Sequence, residues 1–312
     1  MLNKLVKDIK SYEGLTRKKD VSRILKLQKT LKFGENLHLR LGDDTAVIPY
    51  NDEYLLFSAD GIWSKLVSDP FWVGYCSVLV NVNDVYSMGG TPKALVDVLS
   101  MRKEDENEIL KGIETACKKF QVPMVGGHIH PNTYTSVAVA VLGTAKKVLN
   151  SFDASPGEKV VLALDLDGHQ YKNYMNWDTT STKPSTEVLF KLNALPEIAE
   201  KGLASTCKDV SNPGILGTIG MLLETSKVGA EIDVEKIPDP VDITTFVKMY
   251  PGFGFVFTVP EENIQEIFTI FKHRDVWVDV IGEVIPRDWM VLHYQGEKEV
   301  LFDFEIENIC GF

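Results

Sequence analysis

From 71 to 88 the chain is apolar almost without relief, opened by Asp69-Pro70 and closed by Gly89-Gly90. That pattern predicts a largely buried helix with a proline start and a glycine stop. On it Ser77, Asn81, Asp84 and Met88 recur at spacings of three and four, so they share one face. Alternating runs predict strands over 46–49 and 54–59 about the turn 50–53, then 94–101 and 136–145. An amphipathic helix is expected over 105–120, and a short strand over 123–125 leads into Gly126-Gly127-His128. Ser155-Pro156-Gly157-Glu158 reads as a boundary before a fresh apolar run at 159–164. Beyond it lie a polar loop at 168–183 and helices over 184–201, 213–225, 242–249 and 261–273. Strands are expected at 253–259, 278–284 and 290–294. Before residue 40 stand two weak amphipathic patterns, 2–12 and 21–31, joined by Arg17-Lys18-Lys19 with no core in view. They predict an arm, mobile or docked on a partner. The class is α+β, with an arm over 1–38 and domains over 39–150 and 151–312.

A chain of 312 residues, 44% hydrophobic and 25% charged, suits two globular domains of ordinary size. The net charge of −11 argues against nucleic acid or an anionic membrane as the main partner. It leaves ATP open, because divalent cations can stand between carboxylates and phosphates. Cys76, Cys117, Cys207 and Cys310 are scattered, which predicts neither a disulfide framework nor a zinc site. No apolar run approaches the roughly 20 residues of a membrane span. The charged start MLNKLVKDIKSYEG lacks an apolar signal core, so the expectation is a cytoplasmic protein.

Familiar phosphate and hydrolase signatures are missing: GxxxxGK[ST], GxSxG and HExxH do not occur, and Gly252-Phe253-Gly254 lacks a third glycine. Carboxylates in short turn-like contexts take their place: Asp43-Asp44 before a strand, Asp60 ending the next, Asp84 on the helix, Asp209 before a helix start. Singly each reads as a cap, and Ser211 or Asn212 could cap the helix opened by Pro213. Converging, Asp44, Asp60 and Asp84 would repel one another unless a cation bound them, and oxygen-only ligands favour Mg²⁺. His128 and His130 follow two glycines, where a ligand can come close to the backbone or where a neutral turn histidine sits. Trp177 and Asp178 lie in the polar loop, as substrate contacts or as a staple.

GDDTAVI, SADG, VNVNDVYSMGGTPKALVDVL, VGGH and KDVSNPGILGTIGMLLE, in that order, resemble the aminoimidazole ribonucleotide synthetase (PurM-like) superfamily over about 40–290. The resemblance implies an N-terminal mixed sheet with helices that joins its copy in a homodimer barrel, and a C-terminal α+β domain. It also implies ATP and Mg²⁺ in a cleft between them. By that likeness Asp43, Asp44, Asp60, Asp84 and Asp209 are metal-associated, and Asp60, Asn81, Gly127, Ser211 and Asn212 lie near the nucleotide. Asp84 and His128 would act in catalysis, while His130, Trp177 and Asp178 would face the substrate. Departures are plain. Asn212 stands where kinase members carry a second acid, Val67 replaces a histidine, and Gly126-Gly127-His128 replaces GGD. No cysteine precedes Cys76, and Cys310 is followed by Gly311-Phe312, unlike the terminal cysteine of the carbamoyl dehydratases. The implied activity is a Mg²⁺-dependent ATP-using kinase or ligase that activates a carbonyl, amide or phosphate oxygen of a small molecule. A thiamine-phosphate-like kinase and a non-catalytic ATP-binding scaffold are the alternatives.

Overall fold

The computed structural model describes residues 1–24 and 42–311, so most of the 21–31 pattern lies outside the described residues. The chain forms two compact units. The larger holds residues 1–43, 149–179 and 201–312, and begins with helix α1 (Leu2–Ser11). The smaller holds residues 44–148 and 180–200.

In the smaller unit β1 (Ala46–Tyr50), β2 (Glu53–Gly61), β3 (Thr91–Met101), β4 (Met124–Pro131) and β5 (Ser136–Ala145) build one sheet. Its order is β1-β2-β5-β3-β4, with only β3 and β4 parallel. Helices α2 (Pro70–Ser87) and α3 (Glu106–Phe120) pair with each other, and α2 lies against the sheet. Asp69 starts α2 as expected, its carboxylate accepting the Trp72 N–H at 3.3 Å, with Pro70 in the first turn. Two glycines let the helices touch backbone to backbone. A Cβ on Gly74 would stand 2.1 Å from the Ile109 carbonyl oxygen, and one on Gly112 would stand 2.1 Å from that of Phe71. The helix predicted over 184–201 is two, α4 (Ser185–Leu192) and α5 (Ala194–Lys201), meeting at Asn193.

Strand alternation gives the sheet two unlike faces. Leu56, Leu95, Leu99, Val137, Val139 and Val141 are buried on the helix side. On the other side Phe57, Val96, Val98 and Leu142 are 48%, 42%, 55% and 40% exposed. The Gly126-Gly127-His128 turn expected from sequence is strand, because β4 runs on to Pro131 in register with β3.

The larger unit carries a seven-stranded sheet of β6 (Lys159–Leu164), β9 (Thr206–Asp209), β10 (Gly229–Asp233), β12 (Gly254–Val259), β13 (Trp277–Ile285), β14 (Trp289–Tyr294) and β15 (Glu297–Asp303). The order is β15-β14-β10-β13-β6-β12-β9. β6 and β12 read as unbroken apolar runs because they sit inside it, covered on both faces. β7 (His169–Gln170), β8 (Asn176–Asp178) and β11 (Tyr250–Pro251) form a small second sheet inside what read as loop. Helices α6 (Gly214–Ser226) and α7 (Ile264–Lys272) complete the unit. The expected N-terminal arm is corrected in its first stretch: α1 packs on β15, with Leu2, Leu5 and Ile9 in the core. Three apolar residues on one turn-spaced face are enough to dock a short helix.

Candidate functional site

Asp44, Asp60 and Asp84 do not converge as expected; serine hydroxyls hold two of them separately, Asp84 against β2 and Asp44 against the last turn of α2. The Ser58 hydroxyl, late in β2, donates to Asp84 Oδ2 at 2.8 Å. One turn on from Asp84, the Ser87 hydroxyl lies 2.7 Å from Asp44 Oδ2 and 2.8 Å from the Asp84 carbonyl oxygen. A single serine thus ties the segment before β1 to the last turn of α2. Asp60 shares the helix-side face with Ser58, two residues along the strand, and is exposed, whereas Asp84 is only 8% exposed. Both carboxylates offer oxygen donors of the kind hard cations prefer, and each accepts a serine hydroxyl. Among the described residues no three His, Cys, Asp or Glu side chains lie close enough to hold a metal by themselves.

Asn81 shares the helix with Asp84 but is fully buried, its amide nitrogen donating to the Ser77 carbonyl at 2.8 Å. Its Oδ1 is buried without a partner, so the residue supports the helix face from inside.

Gly127 and His128 part company on β4. Asp60, Val139, Asp97 and Gly127 form one cross-strand row on the helix-side face. His128 belongs to the neighbouring row with Val98 and Ala138, on the uncovered face. The sheet therefore stands between the His128 side chain and Asp84. Asp97, which the sequence reading passed over, fills the space a residue 127 side chain would need: a Cβ there would sit 1.8 Å from Asp97 Oδ1. Burial raises the Asp97 carboxyl above its ordinary value, and the His128 backbone N–H it accepts pulls partly back. The signal was present, since Leu95, Asp97 and Leu99 share strand parity and only an acid breaks the apolar set.

In the larger unit Asp43 Oδ1 accepts the Ser151 N–H at 2.7 Å, and the Lys208 ammonium donates to the Gly42 carbonyl at 2.8 Å. Asp209 is buried at the end of β9, paired across to Phe255. Ser211 and Asn212 are half-buried in the turn before α6, where Pro213 takes the cap position without a side-chain cap. Gly214 needs its φ of +74° there, with the backbone of Val247 and Lys248 too close for a Cβ. Trp177 and Asp178 are buried in β8, Trp177 meeting Phe246 edge to face at 5.6 Å. Trp177 Nε1 and Thr179 Oγ1 are buried without a hydrogen-bond partner. Cys310 is buried, and burial together with Glu224 pushes its thiol up to about 11.

Among the described residues no helix is long and apolar enough to cross a membrane. The family model for the AIR synthase related protein N-terminal domain matches residues 42–145, and that for the C-terminal domain matches 166–295. An uncharacterized protein of Methanocaldococcus jannaschii is 43% identical, covering 99% of both chains. The thiamine-monophosphate kinase of Pyrococcus horikoshii is 28% identical over 87% of this chain and 91% of its own. Among solved structures, Thermotoga maritima PurL complexed with FGAR superposes with a TM-score of 0.78 at 18% identity, covering 96% of this chain. This chain spans about half the PurL chain, 53% of its length. AaThiL complexed with AMPPCP and TMP gives a TM-score of 0.66 at 20% identity, covering 91% of this chain and 95% of that one. Two matched domain models and a near full-length relative place the chain in the AIR synthase related family, with the two-domain PurM-like fold.

Proposed function

We propose that the protein is a Mg²⁺-dependent, ATP-using enzyme that activates an oxygen of a small molecule. The observation that carries this reading is the linked pair of serine-held carboxylates, Ser58 with Asp84 and Ser87 with Asp44, with exposed Asp60 two residues beyond Ser58 on the same strand face. Magnesium is commonly held by one or two carboxylates plus substrate phosphates, keeping several waters, so a protein cage of three acids is not required. When bound, the ion would neutralise charge on the phosphates. Asp84 and Asp44 would hold it, Ser58 and Ser87 would fix their orientation, and exposed Asp60 would meet it from solvent. Asp209 is assigned the same role in the larger unit, with Ser211 and Asn212 near it. Gly127 keeps the strand free of a side chain next to Asp97.

A carbonyl or amide oxygen is the preferred acceptor, because Asn212 stands where kinase members of the superfamily carry an acid. The second reading, a small-metabolite kinase, draws on the thiamine-monophosphate kinase among the relatives. Trp177 and Thr179, with buried polar atoms lacking partners, are the residues proposed to face the acceptor. The working form would be a homodimer. Phe57, Val96, Val98 and Leu142 make an apolar sheet face that a second copy would cover. The experiment is release of ADP with Mg²⁺, ATP and a panel of small amides, carbonyls and monophosphates. Acceptor-dependent ADP supports the reading and names the acceptor class. ATP bound with no turnover across the panel would overturn it in favour of a nucleotide-binding scaffold.

A further inference from the structure

The outward positions of the smaller unit's sheet carry almost no fixed charge. Strand register puts Phe57 and Ala59 of β2, Ala140 and Leu142 of β5, and Val96 and Val98 of β3 on the face that α2 leaves uncovered. Glu53 and Lys93 stand where β2 and β3 begin, at the end of the sheet away from the histidines. Arg102 follows β3 and is held by both carboxylate oxygens of Asp105, at 2.9 and 3.0 Å. His128 and His130, two residues apart on β4, share the uncovered face. They continue the rows of Val98 and Ser100, with ring centroids 5.5 Å apart. His128 is exposed and His130 half-buried. Ser100, beside His130, takes the Asn132 amide at 2.8 Å, while Asp97 lies on the opposite face against Gly127. Among the described residues neither ring is paired with a carboxylate.

A patch without fixed charge suits a second copy of itself. In a two-fold contact one patch meets its own copy, so a fixed charge near the axis would face its like. Phe57, Val96, Val98 and Leu142 meet their counterparts without that cost. The histidines share this property only while they are neutral. Imidazole is the side chain that ordinarily changes charge between pH 8 and 5. On the open face a protonated ring is solvated. Under a second copy it becomes a desolvated charge without a counter-ion, with another ring 5.5 Å away. The free subunit therefore binds protons that the dimer excludes, and association weakens as the pH falls.

We propose that His128 and His130 make self-association through this face pH-dependent, so that two copies hold together at neutral pH and separate in acid. The inference rests on the homodimer reading above and adds to it what regulates the contact. The test is sedimentation of the full chain over a range of concentrations at pH 7.5 and pH 5.5, for the parent and for the double variant His128→Gln, His130→Gln. The parent should be a dimer at pH 7.5, with a dissociation constant higher by about tenfold or more at pH 5.5. Glutamine is neutral at both values, so the variant should associate equally at both. A parent that is monomeric at pH 7.5 would remove the homodimer reading and this inference together. A parent dimer of equal affinity at both pH values, or a variant that keeps the parent's pH dependence, would overturn the histidine switch and leave the homodimer standing. The unaltered protein gives a readout independent of the variant. The ring resonances of His128 and His130 should titrate at lower pH in concentrated protein, where dimer prevails, than in dilute protein. Midpoints that do not move with concentration would count equally against the proposal.

Discussion

At the scale of single residues, the Asp97–Gly127 contact is the tightest constraint on the sheet. Gly127→Ala should cost about 1–3 kcal/mol of stability, read as a lower urea midpoint, because the new methyl collides with the Asp97 carboxylate. In an Asp97→Ala background part of that cost should vanish, the part due to the side chain rather than to the Asp97 carbonyl oxygen 2.9 Å from the new Cβ, and equal costs in both backgrounds would contradict the contact. Asp97 also carries a pH signature. Its folded carboxyl is raised, so the native state holds the proton to higher pH than the unfolded chain does. Stability should fall as pH climbs from the ordinary carboxylate value near 3.8 through the raised folded value. Asp97→Asn, which still offers an acceptor to the His128 amide, should flatten that fall when unfolding is compared at pH 4 and pH 7. Asp84 was legible as a polar break in a buried helix, and Asp60 as an acid ending a strand. Ser58 and Ser87 were not, because a serine at a strand end or in a last helical turn carries no periodic signal.

At the scale of elements, the chain's last described residues are held by one side chain. Glu224 of α6 accepts the backbone N–H groups of Ile309, Cys310 and Gly311 at 3.1, 2.8 and 3.0 Å. Hydrogen bonds to a buried charge contribute more than neutral ones, so Glu224→Ala should cost about 2–4 kcal/mol in urea unfolding. The same carboxylate helps keep the Cys310 thiol at about 11, second to burial. Cys310 should therefore resist alkylation at neutral pH in the folded protein and react once Glu224 is replaced. A native thiol that alkylates as fast as a free cysteine would contradict this. Long, periodic elements such as α2 and α3 could be read from sequence within a residue or two. β9, β10 and β7 could not, since strands of two to five residues are stabilised by sheet partners distant in sequence. β4 misled for a related reason: two glycines usually mark a turn, but here they let β4 pass beside a buried acid.

At the scale of the molecule, the two-domain α+β organisation follows from motif order, and the matched family models agree with it. The N-terminal pattern hid its role because its hydrophobic face is small and its partner, β15, comes at the far end of the chain. The proposed self-association can be tested on the exposed sheet face. Val98→Asp should shift sedimentation from dimer to monomer, and an unchanged sedimentation coefficient would remove the homodimer from the reading. The measurement that bears most directly on the proposed activity is calorimetric titration of ATP into the protein with and without Mg²⁺, for the parent and for Asp84→Asn. Asparagine can still offer one acceptor oxygen to Ser58 while it removes the charge. The expected result is Mg²⁺-dependent ATP binding in the parent and its loss, a hundredfold or more (about 2.7 kcal/mol), in the variant. Equal ATP affinity in parent and variant, with or without Mg²⁺, would contradict a cation-holding role for Asp84 and with it the proposed enzyme.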